Sequence, residues 1–179
     1  MEEKYILDKI RDPQTSGYGF NLLVTTYQQK VYWVVRKIVI NHHDADDLTQ
    51  EIFIKVYKSI TNFKENSKLF TWIYRIAVNE SLTFIKKKRL ASFFSLEDVN
   101  SNFLVQLDSS PLIEGDEIQR LLQKAVLKLP TKQRIIFTLK YFEELSYNEI
   151  AEITGTSEGA LKASYHHAVK KITNILSKD

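Results

Sequence analysis

From Phe20 to Leu176 most of the chain repeats apolar residues three or four positions apart with polar residues between them, which is the period of an amphipathic helix. Leu23, Tyr27, Val31, Val34, Val35 and Ile38 predict a helix from near Phe20 to Ile40, after turn signals at Asp12-Pro13 and Gly17-Tyr18-Gly19. Leu48, Ile52, Val56 and Ile60 predict a second, with Asp44 as its expected N-cap and Asp46 and Asp47 in the first turn, where the helix dipole favours anions. After the polar connector TNFKENSK, the stretch Leu69 to Arg89 reads as a third helix, with Leu69, Ile73, Ile76, Ala77 and Phe84 on a core-facing stripe. These three helices make a compact unit ending near Leu90.

The rhythm stops between Ala91 and Gly115, a stretch that contains Ser-Ser-Pro and reads as a linker. Its Phe93, Phe94, Phe103 and Leu104 argue against a mere spacer and lead us to expect it in a groove on something larger. Periodicity resumes at Asp116 with Ile118, Leu121, Leu122, Ala125, Val126 and Leu129, and Pro130 ends that helix. Thr131 is the expected cap of the next, with Ile135, Ile136, Leu139 and Tyr141-Phe142 inside. Ser146 and Glu149 have the spacing of a capping box, Gly155 supplies a positive-φ turn, and Ser157 caps a last helix. Leu161, Tyr165, Ala168, Val169, Ile172 and Leu176 are expected to face inward on it. The fold expected is all-α: a helical bundle over 1–90, an acidic linker over 91–115, and a second helical domain over 116–179.

Composition supports this and narrows the chemistry. Gly and Pro number only 5 and 3 in 179 residues, too few to punctuate many short strands. With no Cys there is no thiolate nucleophile, disulfide or Cys-based zinc site. A Gly-rich phosphate loop and a Ser/His/Asp constellation are also missing, so no catalytic group and no cofactor are expected. The N-terminal residues mix acids and bases, and no long uncharged apolar run follows, so the expectation is a soluble cytoplasmic protein without membrane insertion. The net charge of +3 is unevenly spread: bases crowd 86–89, acids crowd 44–51, and no Lys or Arg occurs from Ala91 to Gln119. Such blocks suit separate partners.

Three surfaces could carry function. On the third helix Trp72, Arg75, Asn79, Thr83 and Lys86 form a second line that runs into Lys87, Lys88 and Arg89. An aromatic plate, an amide and a basic tail suit base stacking, edge reading and phosphate binding; a solvated face with one Trp under a loop fits equally. The preceding polar loop is well placed to trap a flipped-out base. On the second helix Asp47, Gln50, Glu51, Lys55 and Lys58 are either ordinary solvated charge or an acidic-amide surface for a basic protein. They do not make a calcium loop, which needs a loop glycine and a distal Glu. The third is helix, Gly turn, helix, with Ala151 small enough for close crossing and Leu161 as inner anchor. That is a helix-turn-helix for DNA or, alternatively, a structural hairpin. Its outer side offers Ser157, Glu158, Lys162, Ala163, Ser164, His166, His167, Lys170 and Lys171. The adjacent pairs His42-His43 and His166-His167 diverge by about 100° on a helix and suit polar surface better than metal.

In sequence order, Asp44-Ala45-Asp46-Asp47-Leu48-Thr49-Gln50-Glu51-Ile52-Phe53, Phe70-Thr71-Trp72-Ile73-Tyr74-Arg75-Ile76-Ala77-Val78-Asn79, Leu129-Pro130-Thr131-Lys132-Gln133-Arg134 and Leu145-Ser146-Tyr147-Asn148-Glu149-Ile150-Ala151 resemble the sigma-70 family, and specifically its short extracytoplasmic-function (ECF) group. The resemblance implies a sigma region 2-like domain, the linker, and a region 4-like domain. It implies that Asp44, Asp47, Gln50, Glu51 and Phe53 dock on the β′ coiled coil of core RNA polymerase. It implies that Phe63, Lys64, Ser67, Trp72, Tyr74, Arg75, Asn79 and the run Lys86, Lys87, Lys88, Arg89 open the minus-ten element and hold an unstacked base of the non-template strand. The helix from Ser157 to Lys171 would read duplex at the minus-thirty-five element through Ser157, Glu158, Lys162, Ala163, His166, His167 and Lys170, and its domain would pack on the β flap. The linker would thread toward the polymerase channels. An anti-sigma protein that clamps these surfaces is common in the group. The chain departs from the family at Ser164, His167 and Val169, where members often carry arginines, so the usual upstream consensus does not transfer.

The expected function is therefore a non-catalytic promoter-specificity subunit. The alternative is a conventional helix-turn-helix regulator acting on duplex DNA without polymerase, which would have no use for the surfaces at 44–79.

Overall fold

The computed structural model describes residues 3–94 and 117–177, and every regular element among them is helical. A helix absent from the sequence expectation comes first. In α1 (Glu3–Arg11) the residues Ile6, Leu7 and Ile10 are all buried. It lies against the start of α2 (Ser16–Val39) so closely that a Cβ on Gly19 would stand 2.5 Å from the Ile10 backbone nitrogen. Gly17-Tyr18-Gly19 thus belongs to a helix rather than a turn, and α2 begins earlier than the expected Phe20. The turn signals at Asp12-Pro13 serve the α1–α2 connection, where the Gln14 N–H donates to the Asp12 carboxylate at 2.9 Å. The stripe Leu23, Tyr27, Val31, Val34, Val35 and Ile38 is buried as expected. α2 stops at Ile40, a β-branched residue at φ 73 whose N–H donates to the Arg36 carbonyl at 2.9 Å. A positive φ usually falls to glycine, and here near-complete burial of the isoleucine holds it.

α3 (His42–Ser59) buries Leu48, Ile52 and Val56. Its cap is Asn41, whose side-chain oxygen accepts from the Asp44 N–H at 2.9 Å; Asp44 is therefore a first-turn residue and not the cap. A 3-10 turn (Ile60–Asn62) and a loop lead into α4 (Leu69–Phe94), which continues past Arg89 and takes Phe93 and Phe94 from the expected linker. The rest of the linker expectation, including Phe103 and Leu104, lies outside the described residues.

The C-terminal half contains α5 (Glu117–Leu127), α6 (Thr131–Phe137), a π-helical turn (Thr138–Phe142), α7 (Tyr147–Thr154) and α8 (Glu158–Leu176). Pro130, not Thr131, occupies the cap position of α6, with no side-chain cap bond. The π turn changes the helical phase, which is why Tyr141 is half exposed instead of inside. On α8 the inward line is Leu161, Ala168 and Ile172; Val169 lies about 100° past Ala168 and is exposed, as is Leu176 at the helix end. Ile118 and Leu121, expected in the core, are also on the surface.

The two halves pack together. Ile135, Ile136, Leu139, Leu145, Ile150, Ile153 and Leu161 belong to the same buried cluster as Leu23, Ile52 and Ile73, and α7 lies along α4. Across this boundary the Arg134 guanidinium donates to the Ile38 carbonyl at 2.9 Å, Lys37 Nζ approaches Glu143 at 3.7 Å, and Lys68 Nζ donates to Glu149 at 2.9 Å. Each buried aliphatic side chain contributes about 1.5–3 kcal/mol, whereas an exposed pair such as Lys68–Glu149 is screened by solvent and contributes little. Apolar burial therefore dominates the packing, and the polar bonds set its register.

Candidate nucleic-acid interface

The outer line of α4 forms as expected for part of its length. Arg75, Asn79, Thr83, Lys86 and Lys87 are exposed, and Trp72 is half buried. The Trp72 ring rests on Phe63, with centroids 5.2 Å apart. Phe63 is only 7% exposed, so it acts as the floor of the Trp72 plate and is not itself presented to a ligand. Lys64 is exposed and Ser67 half buried in the intervening loop, where Glu65 adopts a left-handed φ of 56 and pairs with Arg11.

Tyr74 departs further from expectation. It is 3% exposed, and its hydroxyl donates to Glu143, the residue that caps the π turn, at 2.9 Å. Burial and the adjacent Glu143 charge push its ionisation above the ordinary tyrosine range. The basic tail is also partly engaged: Lys88 pairs with Asp44, and Arg89 donates to the Thr131 hydroxyl at 3.3 Å.

On α3, Asp47, Gln50 and Glu51 are exposed and Asp44 is half buried. Phe53, expected beside them, is 7% exposed and belongs to the core, one helical step from the solvent line. Ile54 and Tyr57 take its place, at 55% and 59% exposure. Their spacing of seven and ten from Asp47 puts them on its stripe, a signal present in the sequence and missed. The Tyr57 ring is steadied edge-on by Phe20 at 4.8 Å. Ile52 and Val56 of α3 and Ile73 and Ala77 of α4 share one buried cluster, with the exposed pairs Lys55–Glu80 and Lys88–Asp44 beside it, so the acidic-amide face and the Trp72 line hold a fixed relation.

The helix-turn-helix is α7 and α8. Ser146 and Glu149 complete the capping box, Gly155 sits at φ 66, and the Ala160 N–H donates to Ser157 Oγ at 3.4 Å. Ser157, Glu158, Lys162, Ala163, His166, His167 and Lys170 are all exposed, with Lys162 3.5 Å from Glu158. Glu149 also receives Lys68; that bond first, and then its Ser146 bonds, hold its carboxyl down at about 2. Arg134 is 5% exposed, and burial, reinforced by Arg89, pushes its guanidinium down to about 10. Among the described residues no group of His, Cys, Asp or Glu could hold a metal ion, and no helix is long and apolar enough to cross a membrane.

A chain whose described elements are all helical, and which joins a packed α3–α4 pair to a helix-turn-helix, has the architecture of a sigma factor. Residues 23–91 match the model of Sigma-70 region 2, and residues 119–172 that of Sigma-70, region 4. The ECF RNA polymerase sigma factor SigW of Bacillus subtilis is 34% identical over 83% of this chain and 83% of its own length. The ECF RNA polymerase sigma-E factor of Haemophilus influenzae is 32% identical over 97% of this chain and 95% of its own. The chain belongs to the sigma-70 family, among the ECF sigma factors. Its fold matches the sigma factor RpoE in complex with the anti-sigma factor NepR from Bartonella quintana, with TM-score 0.74 and 22% identity over 89% of this chain and 98% of that one. It also matches CnrH in complex with the cytosolic domain of CnrY, with TM-score 0.71 and 19% identity over 99% of this chain and 97% of that one.

Proposed function

We propose that this ECF sigma factor is a non-catalytic subunit that binds core RNA polymerase, brings it to a restricted promoter set and helps melt the minus-ten element. The observation that carries this reading is the shared buried core of α3 and α4, with Leu48, Ile52 and Val56 against Ile73 and Ala77, which holds an acidic-amide stripe and an aromatic-amide-basic line in a fixed relation. A regulator of intact duplex needs neither surface. In this reading Asp47, Gln50, Glu51, Ile54 and Tyr57 dock on the β′ coiled coil. Trp72, Arg75, Asn79 and Thr83 receive an unstacked base of the non-template strand, with Lys64, Lys86 and Lys87 on its phosphates. The exposed side of α8 reads the minus-thirty-five duplex, its neighbours pack on the β flap, and the protein works in the cytoplasm where the DNA is.

This reading requires the two halves to separate. The two promoter elements lie about 25 base pairs apart, ~85 Å of duplex, whereas a compact chain of this length has a radius of gyration of about 16 Å. The chain between Phe94 and Glu117 can reach ~70 Å when drawn out. The packed form is a resting form, and an anti-sigma protein that bridges both halves would prolong it.

Gel filtration of the chain with core RNA polymerase tests the reading. An equimolar co-eluting complex, weakened by Asp47→Lys and Glu51→Lys, is expected. A chain that ignores polymerase and elutes as a dimer on duplex DNA would establish the alternative.

A further inference from the structure

α1 precedes the segment that matches region 2, and the roles assigned above leave it without one. Its seat is nevertheless closely built, with Ile6, Leu7 and Ile10 in the core and its backbone against Gly19. Both its ends are tied to the stretch that leads into α4. At one end the Glu3 carboxylate accepts from the backbone N–H of Leu69 at 2.9 Å and of Phe70 at 3.3 Å, and from the Tyr27 hydroxyl at 3.2 Å. At the other end Arg11 pairs with Glu65, whose left-handed backbone shapes the loop.

Leu69 and Phe70 open α4, and the Trp72 N–H donates to the Lys68 carbonyl at 3.1 Å, which puts Lys68 at the cap position. A lysine side chain has no acceptor to offer the first free N–H groups of a helix. Glu3, more than sixty residues upstream, supplies that acceptor, and its negative charge suits a helix N-terminus. Trp72 lies within this first turn, so the direction of its ring depends on where the turn begins.

We propose that α1 is a brace for the strand-capture loop, with Glu3 as a positioning residue that sets the start of α4 and thereby aims Trp72. The proposal rests on the reading that Trp72 receives a base. Without Glu3 the first turn frays, the Trp72 ring loses its fixed seat on Phe63, and single-strand affinity falls while the α3 and α8 surfaces stay intact.

The test uses the full chain assembled with core polymerase and a fluorescent random-sequence single-stranded DNA pool, read by anisotropy. Glu3→Ala should lower single-strand affinity about tenfold, in line with the loss of a helix cap, and Glu3→Gln, which keeps an acceptor oxygen, should restore most of it. Arg11→Ala releases only an exposed pair, leaves the fold unthreatened, and should cost about two- to threefold. In the free chain carrying Trp33→Phe, emission from Trp72 should shift toward that of solvent-exposed indole in Glu3→Ala. Polymerase and duplex affinities should stay within about twofold. If Trp72→Ala lowers single-strand affinity but Glu3→Ala and Arg11→Ala do not, the brace is wrong and the base-capture reading stands. Equal loss of polymerase and single-strand binding in Glu3→Ala and Arg11→Ala makes α1 plain scaffold and overturns the proposal. If Trp72→Ala changes nothing, the base-capture reading fails and takes the proposal with it.

Discussion

Arg134 of α6 donates to the carbonyl of Ile38, 96 positions upstream, at 2.9 Å, while its other terminal nitrogen donates to Leu127 at 3.2 Å. One guanidinium thereby satisfies the last turns of two helices, α2 and α5, from opposite halves of the chain. Its planar fork makes this double bond possible, and a lysine would not reproduce it. Arg134→Ala should destabilise the packed form by about 1.5–3 kcal/mol, the range for hydrogen bonds to a charged group. Urea unfolding and energy transfer between dyes on α2 and α8 would measure this, and Arg134→Lys should recover only part. An unchanged midpoint and unchanged transfer efficiency would mean that the bond does not set the register.

On α4, Trp72→Ala and Asn79→Ala should reduce promoter opening far more than polymerase binding. Base stacking on an aromatic is worth about 1–3 kcal/mol, so permanganate reactivity of the minus-ten strand should fall roughly tenfold or more for Trp72→Ala. Equal loss of both activities in both variants would point to misfolding and remove support for the assignment.

Charge reversal at Asp47 and Glu51 should have the opposite profile. Interfacial charges set association rate and register more than fold, so polymerase affinity should drop about tenfold while helicity by circular dichroism stays unchanged. Tyr57→Ala tests the unanticipated part of that stripe in the same assay, with a similar loss expected. Retention of full affinity in all three would move the docking site elsewhere.

Glu149 gives the interface a pH dependence. Its carboxyl lies at about 2 in the folded chain against an ordinary 4.5, so protons bind the unfolded form more readily. Its stabilising contribution is complete above about 4.5 and is lost as pH falls toward about 2. Protection of the amides in the first turn of α7, after correction for the intrinsic pH dependence of exchange, should fall across that window, and Glu149→Gln should flatten the profile. An identical acid profile in Glu149→Gln would contradict the assignment.

The helices with long apolar stripes were legible because their period persists over several turns, and the capping box, Gly155 and Ser157 because local chemistry alone determines them. α1 is not legible in the sequence because its three apolar positions, Ile6, Leu7 and Ile10, cover barely two turns beside a strong turn signal. Phe53, Phe63 and Tyr74 are buried in the packed form for reasons the sequence does not display. An aromatic ring suits a base or a core equally, and position 74 lies between the two stripes of α4. Only the arrival of Glu143 from the other half decides it, a contact between residues 69 positions apart that no local pattern encodes. Asn41 and Asp44 are both good cap residues three positions apart, and the sequence does not rank them.

In the proposed division of labour, one helical unit captures a strand of melted DNA while it rides on polymerase, and a second grips duplex upstream. In vitro transcription with core RNA polymerase on a pool of genomic fragments, with 5′ ends mapped, tests it most directly. Addition of the chain should produce discrete start sites that core enzyme alone lacks and that Trp72→Ala abolishes. A folded chain that directs polymerase to no start site, or start sites indifferent to Trp72, would contradict the account.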